Sequence, residues 1–343
     1  MKISVALCSY NGSPYLSEQL ASLEYQSLRP SELVVCDDGS TDNTLQLIDY
    51  FSRRVSFPVR TYVNQENLQF TGNFLRAASL CTGDIIAFCD QDDIWETKKL
   101  ERCAHAIAIE AADLLVHEGR VVDATGRRTA VRIPDLAHAP DHLTEPPYDH
   151  AAKGFAMLVR REVISRFMAA WDWADYLNLK RQHGAPLGHD LLLYAACLRK
   201  GKITFLRKEL VRYRVHEHNL TATEAITRPR FSRLLSFVSK LTFDPSKYAR
   251  PGRKWGAEAE FLGRYLKRCS PASAPGLQRL REYCKIKSHL WGRRAELYDR
   301  SQDRRDRLRR FKQMLGSGAY LPNRTPTLGL RGLTKDALVT LLR

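Results

Sequence analysis

Between residues 3 and 90, short apolar runs alternate with segments whose leucines recur at helical spacing, and few folds satisfy that alternation. "ISVALCSYN" is β-rich, "PYLSEQLASLEYQS" carries Leu16, Leu20 and Leu23 on one helical face, and "SELVVCDDGS" is a second short apolar strand. Thr41 or Asp42 offers an N-cap ahead of Leu45, Ile48 and Phe51, and "PVRTYVNQEN" alternates as a third strand. A helix from about Thr71 to Cys81 then leads to the strand "DIIAFCD". This order predicts an α/β fold with a mixed, mainly parallel sheet covered by helices, whose ligands collect outside the carboxyl ends of the strands.

Beyond Trp95, "KKLERCAHAIAIE" reads as a helix, "ADLLVHEGRVVDATG" as a strand pair, and residues 134–150 as a loop rich in Pro and His. "GFAMLVRREVISRF" reads as strand then helix, "GHDLLLYAACLRKG" as a helix bounded by Asp190 and Gly201, and "KITFLRKELVRYRVH" as two short strands. From about Ser232 the pattern is amphipathic helix, broken at "DPSKYARPG" and "SPASAPG". Arg and Lys there interleave with Phe231, Leu234, Leu308 and Phe311. Residues 221–343 hold 28 Lys and Arg against 10 Asp and Glu, whereas residues 1–220 are close to neutral. Two parts are therefore expected, an enzyme-like domain at 1–225 and a basic helical region at 226–343 that meets an anionic partner.

Hydrophobic residues at 44% and charged ones at 27% exclude a disordered chain and a membrane-spanning one. The opening "MKISVALCSYNG" is too short in apolar residues for a secretory signal, which predicts a cytoplasmic protein. Eight cysteines without CxxC or Cys/His zinc spacing read as reduced and structural. The "NLT" sequon at Asn219 then carries no glycan.

In "FCDQDDIW", Asp90, Asp92 and Asp93 crowd the end of a buried strand. Like charges so close raise one another's pKa unless a cation or several donors compensate. Oxygen ligands of this kind suit Mg²⁺ or Mn²⁺ bridging to a substrate's phosphates. "CDDGSTD" places Asp37 and Asp38 at a second strand end, where a carboxylate either builds the turn or accepts hydrogen bonds from a nucleobase imide or a ribose.

Taken in order, "ISVALCSYNG", "LSEQLASLEYQS", "ELVVCDDGSTDNT" and "CTGDIIAFCDQDDIW" resemble the nucleotide-sugar-binding half of family 2 glycosyltransferases. These are inverting enzymes of the Rossmann-like GT-A fold, and the likeness is greatest to rhamnosyltransferase-like bacterial members that build surface polysaccharides. The resemblance resumes at "HDLLLYAACLRKGKITFL" and "YRVHEHN". It implies Ser9, Tyr10 and Asn11 around the nucleobase, Asp38 on the base with Asp37 nearby, and Asp90 on the ribose side. It further implies Asp92, with Asp93, on the metal bridging the diphosphate, His216 completing the metal sphere, and Arg214 pairing with phosphate. Asp190 matches the family's general base, although an Asp before an apolar helical run is also an ordinary N-cap.

Gln69 stands where relatives commonly have Gly, and "KGFAML" replaces a more polar pattern on the acceptor-side strand. The resemblance implies a UDP- or dTDP-linked sugar as donor and a polyprenyl-diphosphate-linked saccharide as acceptor. Together with the basic region it implies a protein peripheral on the inner face of the cell membrane. Nucleic acid is not expected, because no helix-turn-helix, zinc-finger, RRM or KH signature accompanies the charge. The rivals are a nucleotidyltransferase, whose Gly-rich phosphate loop is missing, and a non-catalytic sugar-nucleotide or membrane-binding scaffold.

Overall fold

The computed structural model describes residues 1–136, 153–184, 187–198, 202–217, 219, 246–269, 274–299, 301, 303–317, 319–320, 333, 336–337 and 340. The expected boundary at 225/226, most of the loop at 134–150 and the apolar residues from Phe231 to Leu241 lie outside the described residues. By contacts the chain divides into two compact units. The first comprises Met1–Asn178, Leu187–Leu220 and Tyr265–Leu277, and the second Leu179–Pro186, Thr221–Arg264 and Gln278–Arg343.

The first unit is built on one mixed sheet. β1 (Ile3–Ser9), β2 (Glu32–Asp37), β3 (Val59–Val63) and β4 (Ile85–Asp90) lie in the order β3-β2-β1-β4, all parallel. α1 (Ser13–Glu24), α2 (Thr44–Ser52) and α3 (Gln69–Leu80) connect them. Strands covered on both faces need apolar runs rather than alternation. Val5 to Leu7, Leu33 to Cys36 and Ile85 to Cys89 are accordingly all buried, as are Leu16, Leu20 and Leu23 of α1.

The chain then forms β5 (Ile94–Trp95), α4 (Lys99–Glu110), β6 (Leu114–Val122), β7 (Arg128–Ile133) and a 3₁₀ turn at Gly154–Ala156. β8 (Met157–Arg160), α5 (Arg161–Met168), α6 (Trp173–His183), α7 (His189–Cys197) and β9 (Ile203–Arg214) follow. The sheet continues β4-β8-β6-β9-β5 with β7 on β6, and β8 runs antiparallel to both its neighbours. A mainly parallel sheet therefore describes β3 to β4, and the other half mixes both senses.

β9 is one strand of 12 residues rather than two short ones. Leu206 faces His117 and Glu209 faces Glu118, so the intervening Arg207 and Lys208 are absorbed as a bulge that sequence pattern reads as a break. α2 starts at Thr44, not behind a Thr41 or Asp42 cap. Asp42 instead accepts the amides of Thr44 at 3.0 Å and Ser13 at 3.1 Å, tying two helix starts together.

Gln69, at the position where the family resemblance expects Gly, has φ of +56°. A side chain in that left-handed region costs about 1–2 kcal/mol, and Gln69 Oε1 is also buried without a partner. Gln69→Gly is expected to raise stability by about 1 kcal/mol, the strain relieved being partly offset by the freer unfolded chain. Chemical denaturation measures this, and a loss of stability would show that the strain is compensated elsewhere.

The second unit is helical, drawing on most of α8 (Ser246–Arg268) and α9 (Ala274–Leu297) together with α10 (Arg304–Gly316). Leu290, Leu297, Tyr298, Met314, Ala319 and Tyr320 form its apolar cluster. Buried Asp336 accepts from Arg294 Nε at 2.8 Å and from the hydroxyls of Tyr298 at 2.9 Å and Tyr320 at 2.7 Å. All eight cysteines are free thiols, and all but Cys269 are buried. Among the described residues no helix is long and apolar enough to cross a membrane.

Candidate active site

Strand register brings the acidic turns together. Ser9 pairs with Asp37 and Cys8 with Asp90, so β1, β2 and β4 end side by side. Asp37 is fully buried and saturated by its own turn: Oδ1 accepts from the amides of Gly39 at 3.1 Å and Ser40 at 2.7 Å, and Oδ2 from the hydroxyls of Ser9 at 2.7 Å and Ser40 at 2.6 Å. Gly39 makes the turn possible with φ of +88°. Asp38 points inward, accepting from Asn64 Nδ2 and the Leu68 amide, both at 2.6 Å. Both carboxylates thus frame the loop, while Tyr10 stands out at 52% exposure. Asn11, with φ of +48°, accepts the Thr41 amide at 2.8 Å.

Sequence reading passed over Gln91, whose side chain fastens this loop to the "DQDD" turn. Its Oε1 accepts the Tyr10 amide at 2.9 Å and its Nε2 donates to the Tyr10 carbonyl at 3.1 Å. The spacer of an acidic motif gives no signal that it pairs with a chain segment so distant in sequence.

The acids of "DQDD" occupy three different environments. Asp90 is half-buried, and its carboxyl is pushed up to about 7 by burial and then by the charges of Asp92 and Asp190, against the pull of Lys99. His189, the neighbour of Asp190, lies 5.0 Å from Phe88, two residues before Asp90 on β4, which sets the start of α7 beside the end of that strand. Asp92 Oδ2 lies 2.8 Å from His216 Nε2 and 3.3 Å from Asn219 Nδ2. Asp93 is fully buried: Oδ1 accepts the Arg214 amide at 3.1 Å and Oδ2 has no partner. Burial, with Asp92 and Asp90 close by, holds its carboxyl well above the ordinary range.

Arg214, expected to face phosphate, is 2% exposed. Its guanidinium donates to the carbonyls of Asp92 at 3.0 Å and Ala124 at 2.9 Å and to Glu18 at 2.8 Å, lying 4.8 Å over the Tyr15 ring. It holds the acidic turn from within. The Tyr15 ring also lies 4.5 Å from that of His216.

Asp190 is the second residue of α7, behind Gly188 at the N-cap. It is not the N-cap residue itself, but its Oδ1 accepts a first-turn amide, that of Leu191, at 2.8 Å. A Cβ on Gly188 would come within 2.2 Å of that oxygen, so glycine leaves the carboxylate its place. His189 anchors the helix start, stacked 4.2 Å from Phe74 and 5.0 Å from Phe88. Burial lowers its imidazole to about 4, and neither nitrogen has a partner.

One corner of the site fits a divalent ion. His216 Nε2 and Asp92 Oδ2 lie 2.8 Å apart as a hydrogen-bonded pair, a nitrogen and an oxygen donor side by side. A hard cation that takes one or two protein donors and completes its shell with phosphate and water suits such a pair. Asp93 Oδ1 is taken by the Arg214 amide, and its Oδ2 is buried without a hydrogen-bond partner. Among the described residues no group of three or more His, Cys, Asp or Glu forms an all-protein metal cage.

Residues 4–167 match the model of glycosyl transferase family 2. An uncharacterized glycosyltransferase of Nostoc is 27% identical over 231 residues, 64% of this chain and 66% of that protein. The dTDP-rhamnosyl transferase RfbG of Shigella flexneri is 25% identical over 66% of this chain and 78% of its own length. WfgD of Escherichia coli, named a UDP-Glc:alpha-D-GlcNAc-diphosphoundecaprenol beta-1,3-glucosyltransferase, is 33% identical over 29% of this chain and 38% of its own. The crystal structure of S. aureus TarS 1–349 in complex with UDP superposes with a TM-score of 0.51 at 20% identity, covering 88% of this chain and 92% of that fragment. At that identity the likeness speaks to fold alone.

Proposed function

This chain belongs to glycosyl transferase family 2 and has the GT-A fold, and on that premise we propose that it moves a hexose or deoxyhexose such as rhamnose from a UDP- or dTDP-linked donor to a polyprenyl-diphosphate-linked saccharide, with inversion, in surface polysaccharide synthesis. The observation that carries this reading is the acidic end of β4, which bears Asp90 and Asp92 beside the ends of β1 and β2, with the start of α7 and Asp190 packed next to it through His189 and Phe88. Relatives named for dTDP-rhamnose and for a lipid-diphosphate acceptor support the two substrate classes.

In the proposed reaction the Asp190 carboxylate takes the proton of the acceptor hydroxyl as its oxygen attacks the anomeric carbon. The bond from that carbon to the diphosphate oxygen breaks on the opposite face, and the nucleoside diphosphate departs with the electron pair. Asp92 and His216 would hold Mn²⁺ or Mg²⁺, which when bound neutralises charge on the departing diphosphate. Ser9, Tyr10 and Asn11 border the nucleobase, with Asp37 fixing their loop through Ser9 and Ser40, while Asp38 holds Asn64 and Leu68 beside it. Asp90 faces the ribose, while Asp93 and Arg214 support the turn from inside.

The basic helices supply the membrane side of the proposal. On α10, Arg305, Leu308, Arg309 and Lys312 line a surface recess, and Leu308 and Leu315 are exposed. Cations interleaved with apolar side chains suit an anionic headgroup layer, where the acceptor resides.

One assay tests both parts. Anionic vesicles carrying a polyprenyl-diphosphate-linked saccharide are incubated with Mn²⁺ and UDP- or dTDP-sugars, and sugar transfer and protein co-sedimentation are read together. Transfer with vesicle binding that weakens when Arg305, Arg309 and Lys312 are all replaced by Gln is expected. Absence of both transfer and donor hydrolysis would favour the scaffold, and salt-sensitive DNA retention without vesicle binding would reverse the choice of partner.

A further inference from the structure

The reaction described above makes no use of the turn Gly154–Ala156, which leads into β8 and packs against β4, β6 and β9. On one side stands Lys99, at the head of α4 and 0% exposed. It donates Nζ to the Phe155 carbonyl at 2.8 Å, with the ammonium 3.5 Å from the centre of the Trp95 ring. Its charge acts on both Asp90 and Asp93. On the other side stands His189: a Cβ on Gly154 would lie 2.6 Å from its Nε2 and 2.9 Å from its Cε1. The Phe155 ring stacks at 4.6 Å on Tyr213, the neighbour of Arg214.

A single turn thus touches the helix head beneath "DQDD", the strand end that braces it, and the residue preceding Asp190. Burying an ammonium is costly unless it is compensated, and a methionine would fill the same volume without that cost. What the charge adds is attraction, to the Phe155 carbonyl and to the carboxylates. His189 cannot swing aside to admit a methyl at Gly154, because Phe74 and Phe88 hold its ring. Pressure on the imidazole therefore passes to the start of α7.

We propose that the Gly154–Ala156 turn is a positioning element that sets the separation between the leaving-group carboxylates and Asp190, fastened by Lys99 on one side and seated against His189 on the other. The inference rests on the reading of Asp190 as the base. Misplacing reacting groups by an ångström costs on the order of 100-fold in rate.

The test is a double-mutant cycle between positions 154 and 189, with kcat and donor KM measured per folded enzyme. Gly154→Ala is expected to lower kcat roughly 10- to 100-fold with donor KM within about twofold. Adding His189→Ala removes the obstructing ring and should leave the double variant more active than Gly154→Ala alone. Lys99→Met should show the same kcat loss at unchanged donor KM, and it carries the test should Gly154→Ala fail to fold. Purely additive effects, or parallel losses in kcat and in donor binding, overturn the proposal. Full turnover by Asp190→Asn would instead sink the base assignment, and non-additivity between positions 154 and 189 would still be measurable.

Discussion

Asp190→Asn is expected to lower the rate of sugar transfer by about 10²- to 10⁴-fold, the range for loss of the general base proposed above, with donor affinity staying within about twofold. The amide is isosteric and can still accept the Leu191 amide, so the fold is expected to survive. Its oxygen is too weak a base to take a proton from the acceptor hydroxyl. Asp190 also contributes charge that raises the Asp90 carboxyl, so removing it should ease Asp90 ionisation and leave donor binding intact or slightly improved. Steady-state kinetics paired with nucleotide titration separate the two effects. Turnover near the wild-type rate would place the base on another residue.

Asp92→Asn should be nearly as severe by a different route. The amide can keep a hydrogen bond to His216 and accept from Asn219, which preserves the loop, but it removes the one carboxylate facing His216 Nε2. Loss of Lewis-acid assistance to a leaving group is worth several kcal/mol, so turnover should fall by about 10²- to 10³-fold. Unlike Asp190→Asn, this variant should lose donor affinity as well. Stabilisation by UDP or dTDP in thermal unfolding should depend on added Mn²⁺ in the parent protein, disappear with a chelator, and be absent from the variant. Stabilisation that persists in Asp92→Asn would move the ion, and with it the diphosphate, to other side chains.

The parallel half of the fold was legible because its strands are buried on both faces and write themselves as uninterrupted apolar runs. The acidic turns were legible because carboxylates at such strand ends conflict with burial unless they have work to do. The long strand β9 was less so, since a bulge at Arg207 and Lys208 interrupts the pattern without interrupting the strand. Gln69 shows the same limit: its φ of +56° is a property of the backbone path, and the residue type offers no hint of it.

Within the candidate site, sequence alone determined which residue types gather at the sheet edge and in what order, because strand alternation and turn chemistry are local. It could not divide the labour among adjacent acids. Asp37 is consumed by its own turn, Asp93 is buried with one oxygen on the Arg214 amide and the other unpaired, Asp92 meets His216, and Arg214 turns inward to Glu18 and two carbonyls. For Asp92, Asp93 and the Arg214–Glu18 pair the partners are more than a hundred residues apart in the chain and come within 3.1 Å of each other only when β9 closes the sheet beside β6. Burial and pairing are decided by what the fold places opposite each side chain, so tertiary structure alone chose which carboxylates stay available for chemistry.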